Sequence, residues 1–221
     1  MNMPPLPYVK RIPGLEYGPL EAAYTDPTVW KNFDPGTLSL CSPDPQAIRP
    51  PEEKVNVLQV TLPTNFKVAK FDSDTSTAIL RNLEKDIEAV RFDAPEGAIE
   101  LPVKLKVHDS IFVPLAKWAM LLAGNYRCVT KDGMRTAQEA VHTDIDTSRT
   151  VYNFVNDLVV KLGAAPGDLV PFEKYAAAAK SLSRPASAAR ALNNGAAYIE
   201  RADKLVQLIA RQKGLSHPTI D

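Results

Sequence analysis

At 221 residues and 45% hydrophobic composition the chain carries enough apolar mass for a buried core, and its length suits one large or two small domains. Lys+Arg and Asp+Glu both number 26, and no basic run with interleaved aromatics occurs, so neither nucleic acid nor an anionic membrane is an expected partner. Cys41 and Cys128 cannot build a disulfide framework and join no C-x-x-C or Cys/His cluster; they read as two ordinary thiols in a reducing, cytoplasmic compartment. Pro4, Pro5, Pro7, Lys10 and Arg11 interrupt any apolar segment near Met1, so no signal peptide is expected, and no run approaches membrane-span length.

The first 51 residues hold more than half of the 19 prolines, in turn-forming steps such as Asp26-Pro27, Asp34-Pro35-Gly36 and Ser42-Pro43-Asp44-Pro45. Tyr8, Tyr17, Tyr24, Trp30 and Phe33 are scattered among them, which predicts packed loops rather than a disordered tail. Val55 to Leu62 mixes alternation with β-branched residues and reads as a strand, and Phe66 to Phe71 as a second one pairing with it in a hairpin. Asp72-Ser73-Asp74-Thr75 offers N-caps for a helix whose apolar stripe is Ile79, Leu80, Leu83, Ile87 and Val90. After the turn Ala94-Pro95-Glu96-Gly97, Ile99 to Val107 alternates as a further strand, giving the order β-β-α-β.

From Val107 to Asn125 the pattern changes to a buried helix, with Ile111, Leu115, Trp118 and Leu122 on one face and Pro114 in a first turn. Beyond Asn125 only helices are expected. One begins near Asp132-Gly133 with a Thr136/Glu139 capping box. Another carries Val151, Phe154, Val155, Leu158, Val159 and Leu162 and stops at Gly163; a third runs from Leu169 to Leu182. Ser183 to Arg190 caps and begins a fourth, broken at Asn193-Asn194-Gly195, and Ala196 to Lys213 forms the last, ending at Gly214. The fold class is therefore α+β: a short strand-rich N-terminal part (1–107, proline-rich loops plus a β-β-α-β unit) followed by an all-helical C-terminal domain (108–221), with the boundary near His108.

Several chemistries find no support. There is no G-x-G-x-x-G or G-x-x-x-x-G-K-[ST] loop, and His108, His142 and His217 are not spaced as ligands, so no metal site is expected. Ser110 and Ser183 lack a nucleophile elbow. Lys117 stands out because it interrupts an apolar helix. It either snorkels its ammonium to water or lines a cleft where it polarises a substrate carbonyl, with Asn125, two turns on, holding another polar group.

These residues carry a resemblance. The C-terminal half is similar to the helical domain of ketopantoate reductases (2-dehydropantoate 2-reductases), of the 6-phosphogluconate-dehydrogenase C-terminal-like type, where a helix with a Lys-x-x-x-Asn-x-x-x-Asn pattern precedes a late Arg-Pro-Thr-Glu-Ile-Asp type segment. Lys117 matches the family's carbonyl-polarising lysine and Asn125 its second asparagine, while Leu121 stands in place of the first. Ser183 falls near the substrate-binding serine. Counting back from Gly214 sets Tyr198-Ile199-Glu200 over Glu-Ile-Asp, so Tyr198 takes the place of the substrate-binding glutamate, and Glu200 is carried as a substrate-binding candidate. Residues 55–107 resemble, more loosely, the closing strands of the family's nucleotide-binding domain.

The resemblance implies NADPH-dependent reduction of a small 2-oxo acid, with catalytic Lys117 and substrate-binding Asn125, Ser183 and Glu200. The family's glycine loop is missing, so the chain reads as a truncated relative, active with a separate cofactor-domain partner or as a homodimer. The rival reading is a non-catalytic helical interaction or dimerisation protein without a cofactor domain.

Overall fold

The proline-rich beginning folds because Pro7, Pro19, Pro27 and Pro35 are placed where their fixed φ starts a turn. In the computed structural model, which describes residues 3–43, 47–48, 52–57, 59–60, 64–199 and 201–221, helix α1 (Leu6–Val9) is followed by 3-10 turns at Gly18–Ala23, Pro27–Trp30 and Pro35–Thr37, each with proline in its first two positions. Asp26 and Asp34 accept from the backbone N–H of Thr28 and Gly36 at 2.9 and 2.8 Å, fixing the last two turns. Tyr8, Val9, Ile12 and Leu20 are fully buried, each contributing about 1.5–3 kcal/mol of apolar transfer. The Tyr8 hydroxyl donates to the Ile111 carbonyl at 2.6 Å, and Arg11 donates to the carbonyls of Leu38 and Lys70 while pairing with Asp72 at 2.9 Å.

Strands β1 (Cys41–Pro43), β2 (Ala47–Ile48), β3 (Gln59–Val60) and β4 (Thr64–Ala69) come next, then helix α2 (Asp74–Ala89), the hairpin β5 (Arg91–Ala94) and β6 (Gly97–Glu100), and β7 (Val103–His108). The hairpin expected between residues 55–62 and 66–71 does not form. Val55 and Asn56 lie in a turn, only β3 represents the first strand, and it pairs with β2; residues 58 and 61–62 of that expectation lie outside the described residues. β4 instead pairs antiparallel with β1 and parallel with β7, so the sheet order is β1-β4-β7. The parallel register sets Phe66 beside Leu105 and Val68 beside Val107, an apolar face that α2 covers with Leu80 and Ile87. Burying that face is what favours the β-α-β crossover over a local hairpin. The strand expected over 99–107 is split at Pro102, which cannot donate to a ladder.

Only part of the α2 stripe reaches the sheet. Ile79 and Leu83 are exposed because, at helical pitch, they sit about 90° and 50° around the axis from the direction of Leu80 and Ile87, and exposed Val90 follows the helix in extended backbone. Thr77 and Glu84 share the inward side: the Thr77 hydroxyl bonds the backbone of Phe71 and Ser73, and Glu84 accepts from the Val107 N–H at 3.1 Å, closing part of the free edge of β7.

After β7 the single long helix expected to Asn125 is replaced by a 3-10 turn (Val113–Ala116), α3 (Lys117–Met120), a π turn (Leu121–Asn125) and a 3-10 turn (Tyr126–Cys128). A two-residue hairpin β8 (Val129–Thr130) and β9 (Gly133–Met134), where only helix was expected, leads to α4 (Ala137–His142). Helices α5 (Ile145–Lys161), α6 (Phe172–Ala179), α7 (Ser187–Asn193) and α8 (Ala202–Gln212) complete the chain. The Thr136/Glu139 capping box is present, with Glu139 N–H donating to the Thr136 hydroxyl at 3.1 Å and Thr136 N–H to the Glu139 carboxylate at 2.8 Å.

Two helix starts differ from expectation. Ser183 does not cap α7; the carbonyls of Leu182 and Arg184 instead accept from Gln138 and Ala137, filling the open N–H groups of α4, and α7 begins after Ala186. The last helix begins at Ala202, not Ala196, because the Ala202 N–H is taken by the Tyr126 hydroxyl at 2.9 Å. One core joins α1 and the N-terminal turns to Trp118, Leu122, Val155, Leu158, Leu205 and Ile209. Gln212 bonds the backbone of Glu16 in both directions, and Lys213 donates to the Gly14 carbonyl at 2.7 Å. No helix among the described residues is long and apolar enough to cross a membrane.

Candidate functional site

The irregular helix at 113–128 is built around Gly124 and Tyr175. In a regular α-helix the N–H of residue 124 would bond the carbonyl of residue 120. Here the Tyr175 hydroxyl, 3.2 Å from the Met120 carbonyl, takes that position, and it lies only 2.0 Å from where a Cβ on Gly124 would stand. The chain widens to a π turn to make room, which glycine alone permits without moving Tyr175. Tyr175 is buried, stacked on Tyr152 at 5.2 Å between ring centroids, and burial pushes its ionisation far above the usual tyrosine range, so it stays a neutral donor.

This turn positions the residues singled out by sequence. Lys117 opens α3, half-buried beside fully buried Trp118, and it is not without a partner. Asn125 closes the π turn, half-buried. Next to it, Tyr126 fixes the end of the turn against the start of α8: its hydroxyl accepts from Ala202, and the Arg201 guanidinium lies 5.6 Å from its ring centre. Burial raises the Tyr126 hydroxyl to about 12. Arg201 is itself paired with Asp203. α3 and α8 pack together, and α7 packs on the π turn. Glu200 lies outside the described residues. Ser183 is exposed in the connection before α7, Tyr198 is exposed, and no hydrogen bond among the described residues joins Ser183 to Asn125. Gly124, Tyr126 and Tyr175 were not singled out by sequence; the one local signal was a glycine inside an otherwise helical pattern.

A second locus lies at the carboxyl ends of the parallel pair β4 and β7. There Lys67, His108, Val113, Asp168, Val170 and Lys174 line a cleft of about 260 Å³ whose far wall is the loop 167–171. That loop is held in place: the Val170 carbonyl accepts from Tyr152 and Asn156 at 2.9 and 3.2 Å, and Asp168 accepts from the Ser110 hydroxyl at 2.7 Å and from Ala165 N–H at 3.1 Å. The Nε2 of His108 is buried without a hydrogen-bond partner. Burial first, and the charge of Lys67 second, hold the His108 imidazole below its ordinary value against the opposing carboxylates of Glu84, Asp168 and Asp109.

No protein-family model, curated protein or solved structure matches this chain. Among the described residues no group of three or more His, Cys, Asp and Glu is arranged to hold a metal ion.

The residues of the β4–α2 turn do not fit the pyrophosphate of NADPH. That turn, Lys70-Phe71-Asp72-Ser73, has no glycine; the Ser73 side chain caps Ser76 N–H, and Asp72 and Asp74 add carboxylates beside the start of α2.

Proposed function

We propose that this chain is the substrate-binding body of a 2-oxo-acid reductase of the ketopantoate-reductase type, with NADPH held outside the β4–α2 turn, on a separate cofactor-bearing partner. The observation that carries the reading is the π turn in the Lys117–Asn125 segment. Such turns are costly, recur at functional sites, and here one is built by Gly124 and Tyr175 and pinned to α8 by Tyr126. It sets where Asn125 stands relative to Lys117. In this reading the Lys117 ammonium donates a hydrogen bond to the 2-oxo carbonyl and stabilises negative charge growing on that oxygen. Asn125 orients the carboxylate end, while Ser183 and Glu200 are the candidates for the remaining polar groups of the substrate.

Calorimetric titration of the chain with ketopantoate tests this. Millimolar or tighter binding, weakened about tenfold or more by Lys117→Ala with the fold retained, supports the reading. Binding that Lys117→Ala leaves unchanged removes the lysine from the site and the reading with it.

A second reading, a non-catalytic interaction protein, draws on the exposed Ile79 and Leu83 of α2, on Val90 just after it and on the cross-strand pair Phe92–Ile99 of the β5–β6 hairpin. Self-association measured by light scattering, abolished by Leu83→Glu and accompanied by no 2-oxo-acid binding, would favour it over the reductase.

A further inference from the structure

We infer that the outer edge of β5 is a homodimer interface, at which two copies of this chain pair their β5 strands antiparallel about a two-fold axis at Phe92. The β5–β6 hairpin is a sheet of two strands only, and among the described residues β5 has no strand on its other side. From Arg91 to Glu100 every residue but half-buried Ala94 is exposed, including the cross-strand pair Phe92 at 56% and Ile99 at 49%. A ribbon of two strands is marginal in water, and a further strand gives partners to the N–H and C=O groups along its open edge.

The strand's own sequence identifies the occupant as a second copy. Opposed residues of an antiparallel pair share one face of the sheet, so a two-fold axis must pass at a residue and not between two. With the axis at Phe92, Phe92 meets Phe92 of the second copy, Arg91 meets Asp93, Asp93 meets Arg91, and Val90 meets Ala94. Strand alternation puts Val90, Phe92 and Ala94 on one face and Arg91 and Asp93 on the other, so every opposed pair is apolar with apolar or cation with anion. Moving the axis by one residue sets Arg91 against Arg91 or Asp93 against Asp93, which is destabilising. The edge of β6 offers no such match: an axis at Ala98 opposes Glu96 to Glu100, one at Glu100 opposes that residue to itself, and one at Ile99 leaves Glu100 facing Ala98, with Pro102 ending the ladder.

The two charges are available for this pairing. Neither Arg91 nor Asp93 forms an ion pair within 4 Å among the described residues. Arg91 uses only Nη1, which donates to the carbonyls of Glu88 and Val90 at 2.8 and 2.9 Å, so Nε and Nη2 remain for the opposed carboxylate. Five residues from each chain make a small interface, so the dissociation constant should lie at about 10–500 μM. The pairing leaves Lys117 and Asn125 aside and does not depend on 2-oxo-acid binding. It rests on the β5 edge and not on Ile79 and Leu83 of α2.

Sedimentation equilibrium of the full chain at about 5–500 μM, with backbone amide shifts followed over the same range, tests the interface. The expected result is a monomer–dimer equilibrium that goes no further, with concentration-dependent shifts centred on residues 90–94. Asp93→Arg should weaken dimerisation about tenfold or more, because both pairs flanking the axis become Arg–Arg. An equimolar mixture of Asp93→Arg with Arg91→Asp should associate again as a heterodimer, in which both pairs are Arg–Asp. In the wild-type chain alone, a monomer at every concentration, an open series of larger species, or shifts centred on Ile79 and Leu83 in place of residues 90–94 would overturn the interface. So would a dimer that Asp93→Arg leaves unchanged. Dimerisation lost in Leu83→Glu and kept in Asp93→Arg would move the contact to α2, which leaves the interaction reading standing and removes the β5 pairing.

Discussion

Gly124→Ala isolates the device that shapes the candidate substrate site. In an ordinary helix the change gains about 1 kcal/mol of propensity. Here the new Cβ would stand 2.0 Å from the Tyr175 hydroxyl and 3.1 Å from Val141, so the buried tyrosine must shift and lose its bond to the Met120 carbonyl. Overpacking of this kind costs about 1–3 kcal/mol, and the lost hydrogen bond leaves the buried tyrosine hydroxyl unpaired at about 1–3 more. The net expectation is about 1–5 kcal/mol of destabilisation, or about 2–20 °C in Tm for a chain of this size. Tyr175→Phe removes the obstacle and should cost about 1–2 kcal/mol by itself. In Gly124→Ala/Tyr175→Phe the Cβ meets the ring carbon at 3.3 Å and Val141 at 3.1 Å, and the N–H of residue 124 can bond the Met120 carbonyl as in a regular α-helix. The pair should therefore couple favourably by about 1–2 kcal/mol, measured by urea unfolding of all four proteins. Losing the extra residue of the π turn also rotates the downstream residues, Asn125 among them, by about 100°, so the double variant should be folded and yet lose 2-oxo-acid binding. Strictly additive costs would refute the idea that Tyr175 and Gly124 create the turn.

The same geometry sets four further outcomes. Trp118→Ala should cost about 3–5 kcal/mol in folding, since Trp118 is fully buried in the shared core, whereas Lys117→Ala should change urea stability by less than about 1 kcal/mol. Because folding holds His108 below its ordinary value, the folded state binds fewer protons than the unfolded chain. Stability should therefore fall as pH drops through about 6.5, and this sensitivity should shrink in His108→Gln when Tm is followed across pH 5–8. Asp168→Ala removes the acceptor for Ser110 and Ala165 and should cost about 1–2 kcal/mol, with faster amide exchange across residues 165–171 as the confirming sign. NADPH should bind the chain alone with a Kd above roughly 100 μM, because the β4–α2 turn is filled by Ser73 and flanked by Asp72 and Asp74; tight binding in a fluorescence titration would mean that a dinucleotide site was missed.

What could be read from the sequence was local. The Thr136/Glu139 box, the stop at Gly163 with φ +119° and the stop at Gly214 with φ +67° are decided by a few neighbouring residues, and the structure has all three. The α+β class was equally legible, since strand alternation ends near His108 and helical spacing takes over from there. What escaped depends on residues distant in the chain. The π turn needs Tyr175, some fifty positions beyond Gly124, and the late start of α8 needs Tyr126. The expected 55–62/66–71 hairpin lost to a parallel pairing whose partner, β7, lies beyond a whole helix. Lys67, His108 and Lys174 come from three separate elements, so no spacing along the chain could have announced their cleft. For the candidate site, a lysine inside an apolar helix drew attention to Lys117 and Asn125, but beyond a glycine within a helical pattern nothing local announced Gly124, Tyr126 and Tyr175 around them.

The central claim is that the Lys117–Asn125 segment receives a 2-oxo acid. An NMR titration with ketopantoate, read at the amide and side chain of Asn125 in the wild-type chain and in Lys117→Ala, tests it most directly. The predicted result is a saturable shift at Asn125 and the flanking π turn that weakens about tenfold or more when Lys117 is removed. A response confined to His108 and its cleft, or an Asn125 shift that survives Lys117→Ala unchanged, would contradict it.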